Sequence, residues 1–217
     1  MLCAGNFVAS SAGNFVASSA GNFVARCGID EAGRGPLAGP VCAAAVILGD
    51  NFKSEALNDS KKLSATQRNE LRQLICANAL AWGVGWASHT EIDNINILQA
   101  SLMAMKQAFD EMMKCFSPSA LETTLHNANI SVIVDGLHVP EISIPCTALV
   151  KADTKIPEVM AASILAKTER DNYMDEMAKL YPQYGYEKHK GYPTKKHREL
   201  ILKYGPSPIQ RMSFRVK

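Results

Sequence analysis

Four carboxylic acids stand where hydrophobic segments typical of β-strands come to an end. Asp30 and Glu31 are adjacent after one such segment, Asp135 closes a second, and Asp153 follows a third. Carboxylates that crowd together repel one another, and their pKa values rise unless cations neutralise them. Oxygen ligands suit Mg²⁺ or Mn²⁺, and two such ions about 4 Å apart support hydrolysis of a phosphodiester. The four acids are therefore candidate metal ligands for that chemistry, although each aspartate taken alone is more typical of a turn or a helix cap.

The pair Asp30 and Glu31 sets a geometric condition on this site. Neighbouring residues of a strand point to opposite faces of the sheet. Both side chains therefore reach one site only if the strand breaks there or if the site lies at its edge. Gly33 and Gly35 follow directly and permit such a break.

The segment Gly33-Arg34-Gly35 is glycine-rich without being a nucleotide-binding loop. It lacks the Gly-Lys-Ser/Thr of a P-loop and the spacing of G-x-G-x-x-G. Its backbone could approach a sugar closely and meet a 2′-hydroxyl, the group by which proteins distinguish RNA from DNA. A tight hairpin turn is the structural alternative for the same glycines.

Positive charge is concentrated near the C-terminus. The chain has 23 Lys and Arg against 21 Asp and Glu, a net charge of +2, but residues 177–217 have ten basic residues and two acidic ones. Tyr184, Tyr186 and Tyr192 lie among these basic residues. The mixture suits phosphate contact together with stacking on sugars or bases, and a solvated tail is the alternative.

Further polar residues are candidates for phosphate contact. Lys61 or Lys62, in a loop before a predicted helix, could hold a phosphate, and a solvated turn is an equal alternative. His189 and His197 have no nearby Asp or Cys that would complete a metal site. We expect both histidines at the surface or in contact with phosphate.

Hydrophobic periodicity predicts the elements that must position these side chains. We expect strands at 22–30, 41–48, 82–87, 130–134 and 147–150, and helices at about 65–81, 98–116, 157–179 and 195–204. The first two strands should form a hairpin, and Ser64 and Gln67 have the spacing of a capping box. Strands alternate with helices, so the fold class is α/β with a mixed central sheet flanked by helices.

Composition limits the classes of protein that remain. Of 217 residues, 47% are hydrophobic and 20% charged, which excludes a wholly disordered or collagen-like chain. Six cysteines occur singly, no apolar run is long enough to span a bilayer, and no signal peptide is evident. We expect a cytoplasmic protein without a membrane segment.

An octamer recurs at the N-terminus, at residues 4–11 and 12–19, and a third copy begins at residue 20. Three short copies are too few for a solenoid, so residues 1–19 are predicted to be surplus and loosely ordered. The alternative is an added edge strand or an exchange between chains. Residues 20–181 should form the main domain and residues 182–217 a small basic helical extension.

Taken together and in order, the motifs over about residues 22–214 closely resemble those of bacterial ribonuclease HII. The matching segments are Gly28–Val41, Asp59–Leu63, Val134–Gly136, Val150–Glu158, Ala161–Lys167, Arg170-Asp171 and His189–Thr194. The resemblance implies a ribonuclease H-like fold and a metal-dependent endonuclease that cuts RNA in RNA/DNA hybrids. It also implies incision 5′ of single ribonucleotides embedded in duplex DNA, which leaves a 3′-hydroxyl and a 5′-phosphate and serves ribonucleotide excision repair and primer removal.

The resemblance also implies a role for each matching residue. Asp30, Glu31, Asp135 and Asp153 would be the catalytic carboxylates that hold two Mn²⁺ or Mg²⁺ ions. Gly33, Arg34 and Gly35 would recognise the 2′-hydroxyl at the RNA–DNA junction, Tyr192 would stack on the adjoining deoxyribose, and Lys61 would lie near the substrate backbone. We expect a monomer. Two departures are the octamer copies and Arg215, where Gly or Ala is more usual.

Two alternatives stay open on the sequence. One is a nuclease of the same fold that cuts long hybrids and lacks activity on single ribonucleotides. The other is a nucleic-acid-binding module without catalysis, which would use the basic C-terminal residues alone.

Overall fold

The computed structural model describes residues 24–49, 51–57, 64–115 and 129–216. Its strands are β1 (Val24–Ala32), β2 (Val41–Leu48), β3 (Ala79–Ala87), β4 (Asn129–Asp135) and β5 (Cys146–Leu149). Its helices are α1 (Ala65–Asn78), α2 (His89–Cys115), α3 (Pro157–Leu180), α4 (Tyr186–His189) and α5 (Lys195–Tyr204). This order confirms the α/β class. The predictions made for residues 1–19, Lys61 and Lys62 lie outside the described residues.

The sheet is mixed, as predicted, with strand order β3-β2-β1-β4-β5. Strands β1 and β2 form the predicted antiparallel hairpin, and β3 pairs antiparallel to β2. On the other side of β1 the sheet continues with β4, which pairs parallel to β1. Strand β5 then pairs parallel to β4. The carboxyl ends of β1, β4 and β5 therefore lie at one edge of the sheet.

Helices cover both faces of the sheet. Along β2 the residues at odd positions pack toward α2, whereas those at even positions pack toward α1 and α3. This alternation is the period of two that a strand imposes on its side chains. Because β2 is buried on both faces, its segment Val41–Leu48 is hydrophobic throughout.

Small residues let the helices approach the strands closely. A Cβ added to Gly28 would collide with the backbone of Glu158 and Val159, and one added to Gly85 would collide with the backbone of α2. The first turn of α3 thus lies directly against β1, two residues before Asp30. Glycine at position 28 therefore helps to fix where Asp30 stands relative to α3.

Two helix boundaries differ from those predicted. Helix α1 begins with the predicted capping box of Ser64 and Gln67 but ends at Asn78, because residues from Ala79 onward are extended and pair with β2. Helix α2 begins at His89, earlier than predicted, and breaks at Asn96, which has φ 68° and ψ 164°. The Asn96 side chain accepts hydrogen bonds from the N–H groups of Leu98 and Gln99, so a new helical segment begins there.

Residues of the C-terminal part pack in a small cluster of their own, against α3. The cluster comprises Ala38, Met174, Ala178, Tyr184, Tyr186 and Ile209. Ala38 also forms a β-bridge with Gln210, which ties the C-terminal segment to the loop between β1 and β2. Among the described helices, none is long and apolar enough to cross a membrane.

Candidate active site

Three aspartates meet at the edge where the parallel strands end. Asp30 lies near the end of β1, Asp135 ends β4, and Asp153 lies in the short turn Ala152–Thr154 that follows β5. One carboxylate oxygen from each lies within 4.8 Å of the other two. Ligands of open α/β sheets bind at this carboxyl edge. Three carboxylates at this spacing fit a divalent cation that prefers oxygen ligands.

Backbone hydrogen bonds orient two of these carboxylates. The N–H of Glu31 donates to Asp30 Oδ1 over 2.7 Å. The N–H of Ala152 donates to Asp135 Oδ1, also over 2.7 Å. The second bond joins the end of β4 to the turn that carries Asp153, so the two aspartates are positioned together.

Glu31 stands beside this cluster rather than within it. It borders a small cleft with Asp135 and His138, and its Oε1 accepts a hydrogen bond from Arg34 Nη1 over 3.2 Å. Its Oε2 is buried and has no hydrogen-bond partner among the described residues. Of the four carboxylates predicted to converge, three have oxygens within 4.8 Å of one another, and Glu31 borders the same cleft as Asp135.

Burial and mutual repulsion disfavour the ionised forms of Asp30 and Glu31. Burial raises the pKa of Asp30 well above its ordinary value, and the charges of Glu31 and Asp135 raise it further. Burial also raises the pKa of Glu31, although the charge of Arg34 opposes that shift. A cation bound between the aspartates would reverse the direction of these shifts, because it favours ionised carboxylates.

The loop after β1 and Tyr192 share one surface. Gly33 has φ +102°, a backbone conformation that favours glycine. An added Cβ on Gly35 would lie 3.8 Å from Cε1 of Tyr192, a residue that is 38% exposed. Lys167 Nζ lies 5.6 Å from the centroid of the same ring. The structure thus brings the predicted sugar-reading loop and the predicted stacking residue together.

The predictions for four other residues near Tyr192 are wrong. Tyr184 and Tyr186 are buried in the C-terminal cluster and cannot stack on nucleic acid. His189 and His197 are also buried, and their rings stack with centroids 4.3 Å apart. The reason is that each imidazole packs against aromatic rings inside the fold and donates to one backbone carbonyl.

These two histidines hold the backbone around Tyr192. His197 Nδ1 donates to the carbonyl of Tyr192 over 3.0 Å. His189 Nε2 donates to the carbonyl of Tyr184, and His189 Nδ1 accepts from the N–H of Gly191. The imidazoles therefore fix the turn that presents Tyr192.

We expect His197 to make the free energy of unfolding depend on pH. Burial, followed by the charge of His189, lowers its pKa from 6.5 to about 4. The unfolded chain therefore binds a proton before the folded one does, and stability falls as the pH drops from 6.5 toward about 4, by at most ~1.4 kcal/mol per pH unit. Urea unfolding between pH 7.5 and 4.5 should show a flatter dependence for His197→Asn than for the wild type. Equal slopes for the two proteins would contradict this.

Sequence reasoning missed Arg170 and Arg211 as residues of this site. Both are fully buried, and both donate to backbone carbonyls of the loop that contains Gly33 and Pro40. In the sequence, Arg170 stands out only as part of Arg170-Asp171, one of the segments that resemble ribonuclease HII. No periodicity or spacing marks Arg211 in the sequence, because its partners lie more than 170 residues away along the chain.

Comparisons with known proteins agree with this geometry. The family model described as ribonuclease HII matches residues 27–217. The ribonuclease HII of Treponema denticola is 53% identical over 195 residues, which cover 88% of this chain and 98% of that protein. The ribonuclease HII of Dechloromonas aromatica is 49% identical over 188 residues, which cover 87% of this chain and 89% of that protein.

A solved structure shows the same fold. The crystal structure of the ribonuclease H2 from Pyrococcus horikoshii OT3 superposes with a TM-score of 0.66 at 24% identity, over 89% of this chain and 95% of that one. The ribonuclease H-like fold expected from the motifs is thereby confirmed. The family model spans all three aspartates and the loop beside them, and the curated relatives match over nearly their whole length. On this agreement of sequence, fold and site, the chain belongs to the ribonuclease HII family.

Proposed function

We propose that this protein is a metal-dependent endonuclease that cuts the RNA strand of RNA/DNA hybrids and incises duplex DNA 5′ of a single ribonucleotide. Ribonuclease H activity follows from membership of the family. The incision at single ribonucleotides, and the 3′-hydroxyl and 5′-phosphate ends, are finer parts of the proposal. The observation that supports them is the three-aspartate cluster, together with the surface formed by Tyr192 and by Gly35, which follows Asp30 by five residues along the chain.

Asp30, Asp135 and Asp153 would hold the divalent ions, Mn²⁺ or Mg²⁺. The fit rests on the chemistry of the donors, three carboxylates with oxygens within 4.8 Å of one another, and on the buried, unpartnered Oε2 of Glu31 nearby. Two divalent ions held there would lower the pKa of the attacking water and offset the charge that develops on the departing 3′-oxygen. Nitrogen and sulfur ligands of the kind that zinc prefers are missing from this cluster of described residues.

The chain's own residues would position the substrate around those carboxylates. Glu31 borders the cleft with one oxygen on Arg34, so its other oxygen is placed to accept a hydrogen bond at the reaction centre. Arg34 is exposed beside it and suits contact with a phosphate. The backbone of Gly33–Gly35 would read the 2′-hydroxyl, and the Tyr192 ring would stack on the neighbouring deoxyribose.

The basic C-terminal part, residues 182–217, would bind the duplex backbone. Exposed lysines on and around α5 supply positive charge next to the Tyr192 turn, namely Lys188, Lys195, Lys196 and Lys203. Affinity from such contacts falls as salt rises, because phosphate binding releases counterions. The division of the chain at residue 182, a monomeric state and a cytoplasmic location remain predictions from the sequence.

Three matched duplexes test the proposed substrate preference. One carries a single ribonucleotide, one is a long RNA/DNA hybrid, and one is all DNA. We expect the first two to be cut and the third to stay intact, with the first cut on the 5′ side of the ribonucleotide. Cleavage of the long hybrid alone would instead identify a nuclease without junction recognition, and cleavage of none would leave only a binding module.

Replacement of Tyr192 by Ala should lower kcat/KM on the single-ribonucleotide duplex by about 10- to 100-fold, since stacking on an aromatic ring contributes ~1–3 kcal/mol. Tyr192→Phe keeps the ring and should retain most of the activity. Tyr204→Ala removes an exposed tyrosine of α5 and serves as the matched control. Steady-state kinetics of the three variants would contradict the stacking role if Tyr192→Ala and Tyr204→Ala behaved alike.

A further inference from the structure

A buried arginine from the C-terminal segment lies behind the Gly33–Pro40 loop. The Arg211 side chain is fully buried. Its Nη1 donates to the carbonyl of Arg34 over 3.0 Å, and its Nη2 donates to the carbonyl of Gly33 over 2.6 Å. Its Nε donates to the carbonyl of Gly39 over 2.8 Å. One guanidinium therefore holds both ends of this loop.

A second buried guanidinium joins the same loop to the turn that carries Tyr192. Arg170 of α3 donates from Nε to the carbonyl of Pro40 over 2.9 Å and from Nη2 to the carbonyl of Ala38 over 3.2 Å. Its Nη1 donates to the carbonyl of Lys190 over 3.1 Å. Arg170 thus connects the loop after β1 to the residues just before Tyr192.

Both arginines are buried, and burial disfavours their positively charged form. Burial lowers the pKa of Arg170 and of Arg211, and for Arg211 the neighbouring charge of Arg170 lowers it further. Among the described residues, the hydrogen bonds of both side chains go to backbone carbonyls, and neither forms an ion pair. A buried charge is tolerated only when its donors are satisfied, so these carbonyls must point inward.

The inward carbonyls determine which groups face outward. In a trans peptide, the C=O and the following N–H point in opposite directions. Because Arg211 draws the carbonyls of Gly33 and Arg34 inward, the N–H groups of Arg34 and Gly35 point away from it. These two N–H groups have no hydrogen-bond partner among the described residues, and Gly35 lies beside the exposed ring of Tyr192.

We propose that Arg211 is the positioning residue of the sugar-reading loop: it orients the peptides of Gly33 and Arg34 so that two free N–H donors face the substrate's 2′-hydroxyl. Arg170 keeps the same loop in register with Tyr192. The inference rests on the proposed function, because it explains how the reading surface is held. It assigns to the C-terminal segment a part in discrimination between RNA and DNA, in addition to binding of the backbone.

Binding measurements without turnover test this role. Fluorescence anisotropy in EDTA gives the Kd of an all-DNA duplex and of the same duplex with one ribonucleotide. Arg211→Lys keeps the charge but loses the planar fork that reaches several carbonyls. We expect its preference for the ribonucleotide duplex to fall by about tenfold, the loss of one or two hydrogen bonds, while its affinity for the all-DNA duplex stays unchanged. Arg215→Lys, an exposed arginine of the same segment, should keep the wild-type preference.

Three outcomes separate this proposal from the proposed function. A wild-type protein without preference for the ribonucleotide duplex would overturn the proposed sugar reading itself. A wild type with preference, beside an Arg211→Lys variant that keeps it or that loses both affinities equally, would overturn the role of Arg211. A selective loss supports it.

A second variant covers the case in which Arg211→Lys does not fold. The Asp93 carboxylate accepts hydrogen bonds from the N–H groups of Met212 and Ser213, next to Arg211. Asp93→Ala removes these anchors of the segment, and a nearby negative charge, but leaves the carbonyls that Arg211 contacts in place. It should lower the preference in the same direction but by less, and an unchanged preference in this variant would count against the proposal.

Discussion

Asp135→Asn should lower cleavage of a duplex with one ribonucleotide by at least about a hundredfold, the scale on which removal of one preorganised electrostatic group acts. Asp135 contributes to the three-aspartate cluster and also borders the cleft with Glu31. An amide keeps the size of the side chain and can still accept the hydrogen bond from Ala152. It loses the charge that a divalent cation requires.

Single-turnover cleavage with saturating Mn²⁺ measures this effect. Glu141→Gln, an exposed carboxylate in the loop after β4, is the matched control and should cleave at the wild-type rate. Near-normal cleavage by Asp135→Asn would remove that aspartate from the reaction centre.

Asp30→Asn should stabilise the metal-free protein while it abolishes activity. Burial, with the charges of Glu31 and Asp135, raises the pKa of Asp30 in the folded state. A carboxyl group with a raised pKa stabilises the fold in acid and loses that contribution as the pH rises through the folded pKa. The gain for Asp30→Asn in EDTA should therefore be largest at high pH, on the order of 1–2 kcal/mol of unfolding free energy, and should shrink in acid.

Thermal unfolding with and without Mn²⁺ completes this test. Mn²⁺ should raise the Tm of the wild type, because a ligand that binds only the folded state stabilises it. It should raise the Tm of Asp30→Asn much less. A variant that is less stable than the wild type in EDTA would show that Asp30 is a structural residue. A variant that Mn²⁺ stabilises as much as the wild type would show that Asp30 does not bind the ion.

The position of the aspartates could be predicted because it depends on local patterns. Asp30 and Asp135 lie at the carboxyl ends of their strands, and Asp153 follows shortly after β5. Once β1, β4 and β5 are parallel neighbours, their carboxyl ends must meet. Glu31 was less predictable, because strand alternation turns it away from Asp30 and toward Arg34.

The C-terminal part was harder to predict, because long-range packing decides it. A run of Tyr, His and Lys resembles a nucleic-acid-binding surface, yet Tyr186 and His197 are fully buried and stack edge to face. Arg211 looks like one more basic residue of an exposed tail, but its donors meet carbonyls of the loop between β1 and β2. Composition and periodicity do not encode such pairings across the whole chain.

The most direct test of a metal-dependent ribonucleotide endonuclease is the chemistry of its products. A duplex with one ribonucleotide is incubated with the wild-type protein in EDTA and then with added Mn²⁺ or Mg²⁺, and both new ends are identified by mass spectrometry. We predict no cleavage in EDTA, and with the metal a single cut 5′ of the ribonucleotide that leaves a 3′-hydroxyl and a 5′-phosphate. Cleavage that persists in EDTA, or ends that contain a 2′,3′-cyclic phosphate, would contradict the account.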